Sequence, residues 1–319
     1  MSPLVSPPLF CPFPTQEHPR LRQLEEEALA RWAGQLETPT QHVDLEKLCR
    51  GHFPLLLGRA HPTLPPERLG AALDFLIWCF SWNDQMAGVP PVWLQEQSWL
   101  ALAVLQGATP ARDALPSLWL LRDIRERLLG SMPRDWRERF IRACQSYFRG
   151  TICEARVRAG RLCLEVSSYV ELRRMSAGTS MVFTQMEALE GFFLPEDTLA
   201  HPALVQLMRT ATDVMAWAND LFSLECDLRD DFHPNLVLSL QLERTLPLDE
   251  ALRAAVEMHD TAVRRFLVQE RALPSFGAHD AAVSRLVLGL RRWIRANLDW
   301  SLLTGRYPRT AASQCSRVA

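Results

Sequence analysis

Helical periodicity runs through this chain almost without interruption, while strand signals are nearly missing. With 14 glycines in 319 residues, few β-branched clusters and no Asn-Gly or Asp-Gly turn between alternating runs, hairpins have little to form from. Residues 18–34 put Leu21, Leu24, Ala28, Leu29 and Trp32 on one stripe. Residues 66–82 are almost wholly apolar and stop before Gly88 and the Pro90-Pro91 breaker. Further helices are expected over 91–106, 116–129, 135–164, 168–176, 179–190, 201–228, 247–270 and 281–303. No long Gly/Ser linker and no internal repeat divides them. The spacing therefore predicts an all-α fold in a single domain over 1–319, with antiparallel helices around one centre. A proline-rich segment (about 1–16) precedes it and a C-terminal tail (about 308–319) follows.

Charge and cysteine usage narrow the function classes. The net charge of −2, from 35 basic and 37 acidic side chains, lacks the footprint of a nucleic-acid binder. The longest apolar run, near 71–80, is broken by Asp74, so no membrane span is expected, and the uncharged N-terminus lacks a secretory pattern. Eight cysteines (11, 49, 79, 144, 153, 163, 226 and 315) form no C-x-x-C pair or zinc-like cluster. Cys79, Cys144, Cys153 and Cys163 fall in apolar helical patterns, which suggests a reduced cytoplasmic protein without structural metal.

Four stretches carry chemistry. In Trp217-Ala-Asn-Asp-Leu-Phe-Ser-Leu-Glu-Cys-Asp227, the residues Asn219, Ser223 and Asp227 recur at i, i+4 and i+8. Their side chains advance only about 40° per step, so an amide, a hydroxyl and a carboxylate share one helix face, as an oxygen site for Mg²⁺ requires. A solvated polar stripe is the plain alternative, against which the apolar run 211–218 argues. An apolar helix ends in Asn83-Asp84, where simple helix termination is the competing explanation. Arg173 and Arg174 precede a Ser176-Ala-Gly178 interruption, and Arg306-Tyr307 lies near the C-terminus. Guanidinium groups suit phosphate oxygens, although any one of so many arginines is more often a surface residue.

Together these features resemble bacterial class I terpene synthases. That family carries an aspartate-rich motif (D-D-Q-F-D-G-P), a downstream N-D-x-x-S-x-x-x-E triad, an arginine about 46 positions before the triad, and a C-terminal Arg-Tyr pair. Here Asn219-Asp-Leu-Phe-Ser223 matches the triad with Asp227 in place of glutamate, 219 − 46 lands on Arg173, and Arg306-Tyr307 matches the pair. Cys11-Pro-Phe-Pro14, His18-Pro19 and His233-Pro-Asn-Leu-Val237 are smaller echoes. Asn83-Asp-Gln-Met-Ala-Gly-Val89 stands where the aspartate-rich motif belongs, with asparagine for the first aspartate and Ala87 for the third.

The resemblance implies a helical bundle around a central apolar cavity. It implies ionisation of a prenyl diphosphate, farnesyl diphosphate first, with three Mg²⁺ ions, followed by cyclisation to a hydrocarbon or alcohol. Metal contacts would come from Asn83, Asp84, Asn219, Ser223 and Asp227. Arg173 would sense the diphosphate, Arg306 and Tyr307 would close over it, and the carbonyl near Ala177 would face the substrate. Phe80, Phe183, Trp217 and Trp300 would wall the cavity, with plain core packing as their alternative. Asp84, the one carboxylate of the degenerate motif, is expected to take over the main contact there, which needs a slight unwinding of the helix end. Removing Asp227 is expected to cost little stability. A silent diphosphate-binding relative, a C20 or methylated substrate and a chain-elongating prenyltransferase stay open, as does a homodimer.

Overall fold

The computed structural model describes residues 8–35, 49–229 and 233–307. The C-terminal tail from 308 and the first seven residues of the proline-rich segment lie outside the described residues. Helices account for most of the chain, and no strand occurs among the described residues. In chain order they are α1 (Leu21–Gln35), α2 (Phe53–Ala60), α3 (Pro66–Gln85), α4 (Pro91–Leu105), α5 (Pro116–Leu129) and α6 (Arg134–Ala159). Then come α7 (Val166–Ser176), α8 (Thr179–Glu190), the single turn α9 (Glu196–Leu199), α10 (Pro202–Asp227), α11 (Leu236–Arg244), α12 (Leu248–Arg271) and α13 (Asp280–Leu303).

Local chemistry sets most boundaries. Pro66, Pro91, Pro116 and Pro202 each open a helix, where the missing N–H costs nothing and the fixed φ suits the first turn. Asn235 caps α11, its side-chain oxygen accepting from Val237 N at 2.8 Å. The expected helix 135–164 stops early because Gly160 ends it and Arg161 turns left-handed at φ 50°. Cys163 is therefore exposed beyond the helix rather than buried in it, whereas Cys144 is buried as expected. Three helices escaped the periodicity, α2, α9 and α11, each shorter than three turns.

The layout places α3 and α10 deep in the bundle. Residues 210–218 of α10 are buried continuously, which a helix enclosed on all sides requires. The Asp74 that breaks the apolar run of α3 is buried and fully engaged. Arg31 Nε reaches it at 3.0 Å, Arg127 Nη1 at 2.8 Å and Trp32 Nε1 at 3.1 Å, tying α1 and α5 to α3. α10 packs against α12 and α13, α2 lies on α13, and α6 lies along α7. No described helix is long and apolar enough to cross a membrane.

Candidate active site

A cavity of about 410 Å³ opens between α3, α6, α7, α8, α10 and α13, within the range of small-molecule sites. Its walls include Leu56, Phe75, Leu76, Phe80, Met181 and Val182; its mouth is polar. The helix break that shapes one wall depends on two glycines. Gly178 adopts φ +71° between α7 and α8, a conformation that favours glycine. A Cβ at Gly150 on α6 would sit 2.5 Å from the Ser176 backbone nitrogen, so only glycine lets α6 approach the break. Ser176 Oγ donates to Glu154 on the same helix α6, fixing the end of α7 and placing Ala177 on the cavity wall.

Arg173 and α10 form one buried network at the mouth. Arg173 Nε donates to Asp220 Oδ1 at 3.0 Å and its Nη2 to Asn219 Oδ1 at 2.7 Å. Tyr169, one turn earlier on α7, donates its hydroxyl to Asp220 Oδ2, and Asn219 Nδ2 donates to the Tyr307 hydroxyl. Burial pushes the Asp220 carboxyl up, opposed by the Arg173 charge and the Tyr169 hydrogen bond. Burial likewise raises the Tyr307 phenol, which stays protonated at neutral pH. Burial opposes the Arg173 charge too, but Asp220 together with Tyr169 and Glu154 outweighs it and holds the guanidinium cationic.

The lower half of the same face holds Ser223 and Asp227. Ser223 Oγ donates to Asp227 Oδ2 at 2.6 Å, and Asn235 Nδ2 donates to that same oxygen at 2.8 Å and to the Asp220 carbonyl at 2.8 Å. His233 Nε2 lies 3.6 Å from Asp227 Oδ1. Asn219, Ser223 and Asp227 all line the cavity, as their spacing predicts. Their donors are hard oxygens, suited to a divalent cation, yet the set carries a single negative charge. Among the described residues no three or more His, Cys, Asp and Glu side chains gather as a metal cage. The donors fit an ion whose remaining shell comes from an anionic ligand.

Opposite them, α3 stays helical to Gln85, and both Asn83 and Asp84 line the cavity without the expected unwinding. Asp84 is held by a two-pronged pair with Arg306, Nη1 to Oδ2 at 3.0 Å and Nη2 to Oδ1 at 2.6 Å. Burial works against the Arg306 charge, and Asp84 more than compensates. The guanidinium also sits 5.0 Å from the Phe80 ring centroid. Phe80 lies 4.7 Å from Phe53 and 5.3 Å from Trp300, and Trp300 lies 5.9 Å from Tyr307, so aromatic faces floor the mouth. Trp300 Nε1 donates to the Gly51 carbonyl at 2.6 Å, which fixes its ring.

Of the aromatic residues expected at the cavity, Phe80 and Trp300 line it, whereas Phe183 and Trp217 do not. On α10 the lining residues Met215, Ala216, Asn219 and Asp220 span an arc of about 140°, and Trp217 falls about 60° beyond it. On α8 the lining residues are Thr179, Met181, Val182 and Gln185; Phe183 lies one turn beyond Thr179, outside the lining. Both are core residues, 5% and 6% exposed, and their aromatic character alone could not reveal the side they face. Asp220, Tyr169, Asn235 and Glu154 were missed as members of the network. Tyr169 sits one turn before Arg173 and Asp220 beside Asn219, signals that spacing alone offers; Asn235 falls inside the His233–Val237 echo without a role attached, and Glu154 gives no signal until the helices pack.

Residues 74–265 match the family model "Terpene synthase family 2, C-terminal metal binding". A germacrene A synthase of Nostoc punctiforme is 30% identical, over 96% of this chain and 96% of the relative. A 10-epi-cubebol synthase of Sorangium cellulosum is 32% identical, over 94% and 97%. A (+)-T-muurolol synthase of Roseiflexus castenholzii, named as cyclising farnesyl diphosphate, is 31% identical, over 96% and 95%. Wild-type cucumene synthase superposes with a TM-score of 0.76 at 25% identity, covering 91% of this chain and 98% of that one. An ancestrally reconstructed protein, SVS_A2, superposes at 0.84 with 24% identity over 96% and 93%, which speaks to fold alone. The all-α bundle, the cavity and these relatives agree: this chain is a member of the terpene synthase family, a class I terpene cyclase of its metal-binding branch.

Proposed function

We propose that this cyclase takes farnesyl diphosphate, uses Mg²⁺, most simply as three ions with the diphosphate, and works as one catalytic domain over 1–319. The observation that carries the reading is the convergence on one cavity mouth of three oxygen donors on α10, two guanidinium groups and an aromatic floor. The T-muurolol synthase relative, named as cyclising farnesyl diphosphate, supports the C15 chain length. A cytoplasmic location accords with the lack of a described membrane-crossing helix, and a homodimer is compatible with it.

In this reading Asn219, Ser223 and Asp227 hold metal from α10, and Asp84 with Asn83 from α3. Bound Mg²⁺ would neutralise the diphosphate as its C–O bond breaks. Arg173 and Arg306 donate to the departing diphosphate oxygens, which requires both to exchange present partners for the ligand. Tyr307 and Asn219 move with them, since they share the network. Once the allylic cation forms, the apolar walls exclude water from most of its surface, and Phe80 and Trp300 offer π faces that stabilise positive charge without reacting. Ala177, at the break after Arg173, couples the arginine to the wall nearest the cation.

Incubation with C10, C15 and C20 prenyl diphosphates tests this directly. Mg²⁺-dependent diphosphate release with cyclic products is expected, kcat/KM being at least about tenfold higher for C15 than for C20, and excess EDTA abolishing it. A C20 preference would overturn the substrate assignment, and persistence in EDTA would overturn metal dependence.

A further inference from the structure

The cavity is not uniformly apolar away from its mouth. Gln185 on α8 lines it, is 97% buried, and its Nε2 has no hydrogen-bond partner. Trp293 on α13 also lines it, 2% exposed, with its Nε1 likewise unpartnered. Asn297, one turn beyond Trp293, donates its Nδ2 to the Met215 carbonyl at 3.1 Å and keeps an amide oxygen as acceptor on that wall. α8 and α13 pack closely here: a Cβ at Gly289, one turn before Trp293, would meet Met186, the neighbour of Gln185.

Buried donors without partners are rare, because leaving one unsatisfied costs about 1–3 kcal/mol. Ordered water is the usual remedy where a roomy site offers two to four polar groups, and α8 and α13 bring three to this cavity. We infer that Gln185, Trp293 and Asn297 hold a water in the cyclisation chamber, and that this enzyme ends its reaction by water capture, giving a terpene alcohol. The inference rests on the cyclase reading above and adds the product class and the residues that set it.

The step balances without any further reagent. A lone pair of the held water forms the C–O bond at the cationic carbon. The resulting oxonium gives up one proton to the released diphosphate, a base that the reaction itself produces. Prenyl diphosphate and water thus become cyclic alcohol and protonated diphosphate. Gln185 acts as a positioning residue: its carboxamide both donates to and accepts from the water, fixing the direction of the attacking lone pair.

Farnesyl diphosphate and Mg²⁺ incubated with wild type in ¹⁸O-water, followed by mass analysis of products, tests the inference. A principal product that is an alcohol carrying one ¹⁸O is expected. Gln185→Leu keeps the volume but removes the amide, so the alcohol-to-hydrocarbon ratio should fall about tenfold, the equivalent of one lost hydrogen bond, while diphosphate release changes little. Trp293→Phe, which keeps the ring and loses the N–H, should lower the ratio in the same direction. Wild type giving only hydrocarbon, an alcohol without label, or a ratio unmoved in both folded variants would overturn the inference and leave the cyclase reading intact. Should Gln185→Leu fail to fold, the wild-type label and Trp293→Phe decide. Absence of any diphosphate release would instead sink the cyclase reading and this inference with it.

Discussion

Arg173→Lys is expected to lower kcat/KM for farnesyl diphosphate by about 10²–10³-fold while the protein stays folded. Lysine keeps the charge opposite Asp220 but cannot donate to Asp220 and Asn219 at once in a fixed plane, as Arg173 does at 3.0 and 2.7 Å. The fork that recognises diphosphate oxygens is lost with it. Arg173→Ala is a poorer test, because it strands the buried Asp220 without its cation and is expected to destabilise by about 3–5 kcal/mol. Comparing the two variants by thermal melting and by steady-state kinetics separates recognition from folding. Wild-type turnover in Arg173→Lys would remove Arg173 from the diphosphate site.

Asp227→Asn is expected to lose turnover by about 10³-fold, since it removes the one carboxylate of the Asn219, Ser223 and Asp227 set while keeping its shape. Asp227→Ala should lose as much activity and also some stability. The sequence suggests a carboxylate facing water and ions, whose removal is nearly free. The structure corrects this: Asp227 is buried and accepts from Ser223 and Asn235 at 2.6 and 2.8 Å. Its loss leaves the Ser223 hydroxyl only the longer contact to the Asp220 carbonyl at 3.5 Å and takes one of the two bonds that Asn235 Nδ2 donates, a cost of about 1–2 kcal/mol in Asp227→Ala. Calorimetric melting beside turnover checks both halves. Asp227→Asn turning over as fast as wild type would dismiss the triad as a metal site.

How far the sequence alone could go is visible in α10. Asn219, Ser223 and Asp227 share a face because a helix repeats every 3.6 residues, and that geometry needs no partner helix to be known. Arg173 and Arg306-Tyr307 were found through family spacing, and the fold placed them on the same mouth. Trp217 and Phe183, expected on the cavity wall, fall outside its lining for a different reason. An aromatic residue gives no sign in the sequence of whether it faces a cavity or the core, so rotation of the helix relative to its neighbours decides. Phe53 went unnoticed because the eight residues of α2, with Pro54 and Gly58 among them, hold too little pattern to read as a helix. Asn235 and Glu154 are polar residues whose importance comes only from burial beside α10 and α7. Asp74 illustrates the converse: it looks like a flaw in an apolar run until Arg31 and Arg127 arrive from other helices.

The degenerate motif on α3 is where chemistry and resemblance part. An amide oxygen at Asn83 supplies no charge, and Asp84 is engaged by Arg306, yet both face the cavity. With one carboxylate on α3 and one on α10 in the proposed metal set, the diphosphate itself must complete the metal shell and release Arg306 from Asp84 for ionisation. Diphosphate release by wild type, Asn83→Asp and Asp84→Ala, measured across a Mg²⁺ titration with farnesyl diphosphate, is the most direct test. Wild type is expected to release diphosphate with cyclic products, Asn83→Asp to reach half-maximal rate at several-fold less Mg²⁺, and Asp84→Ala to fall by about 10²-fold. No release by wild type at any Mg²⁺ concentration, with activity appearing only in Asn83→Asp, would mark the natural chain as a silent relative and contradict the cyclase reading.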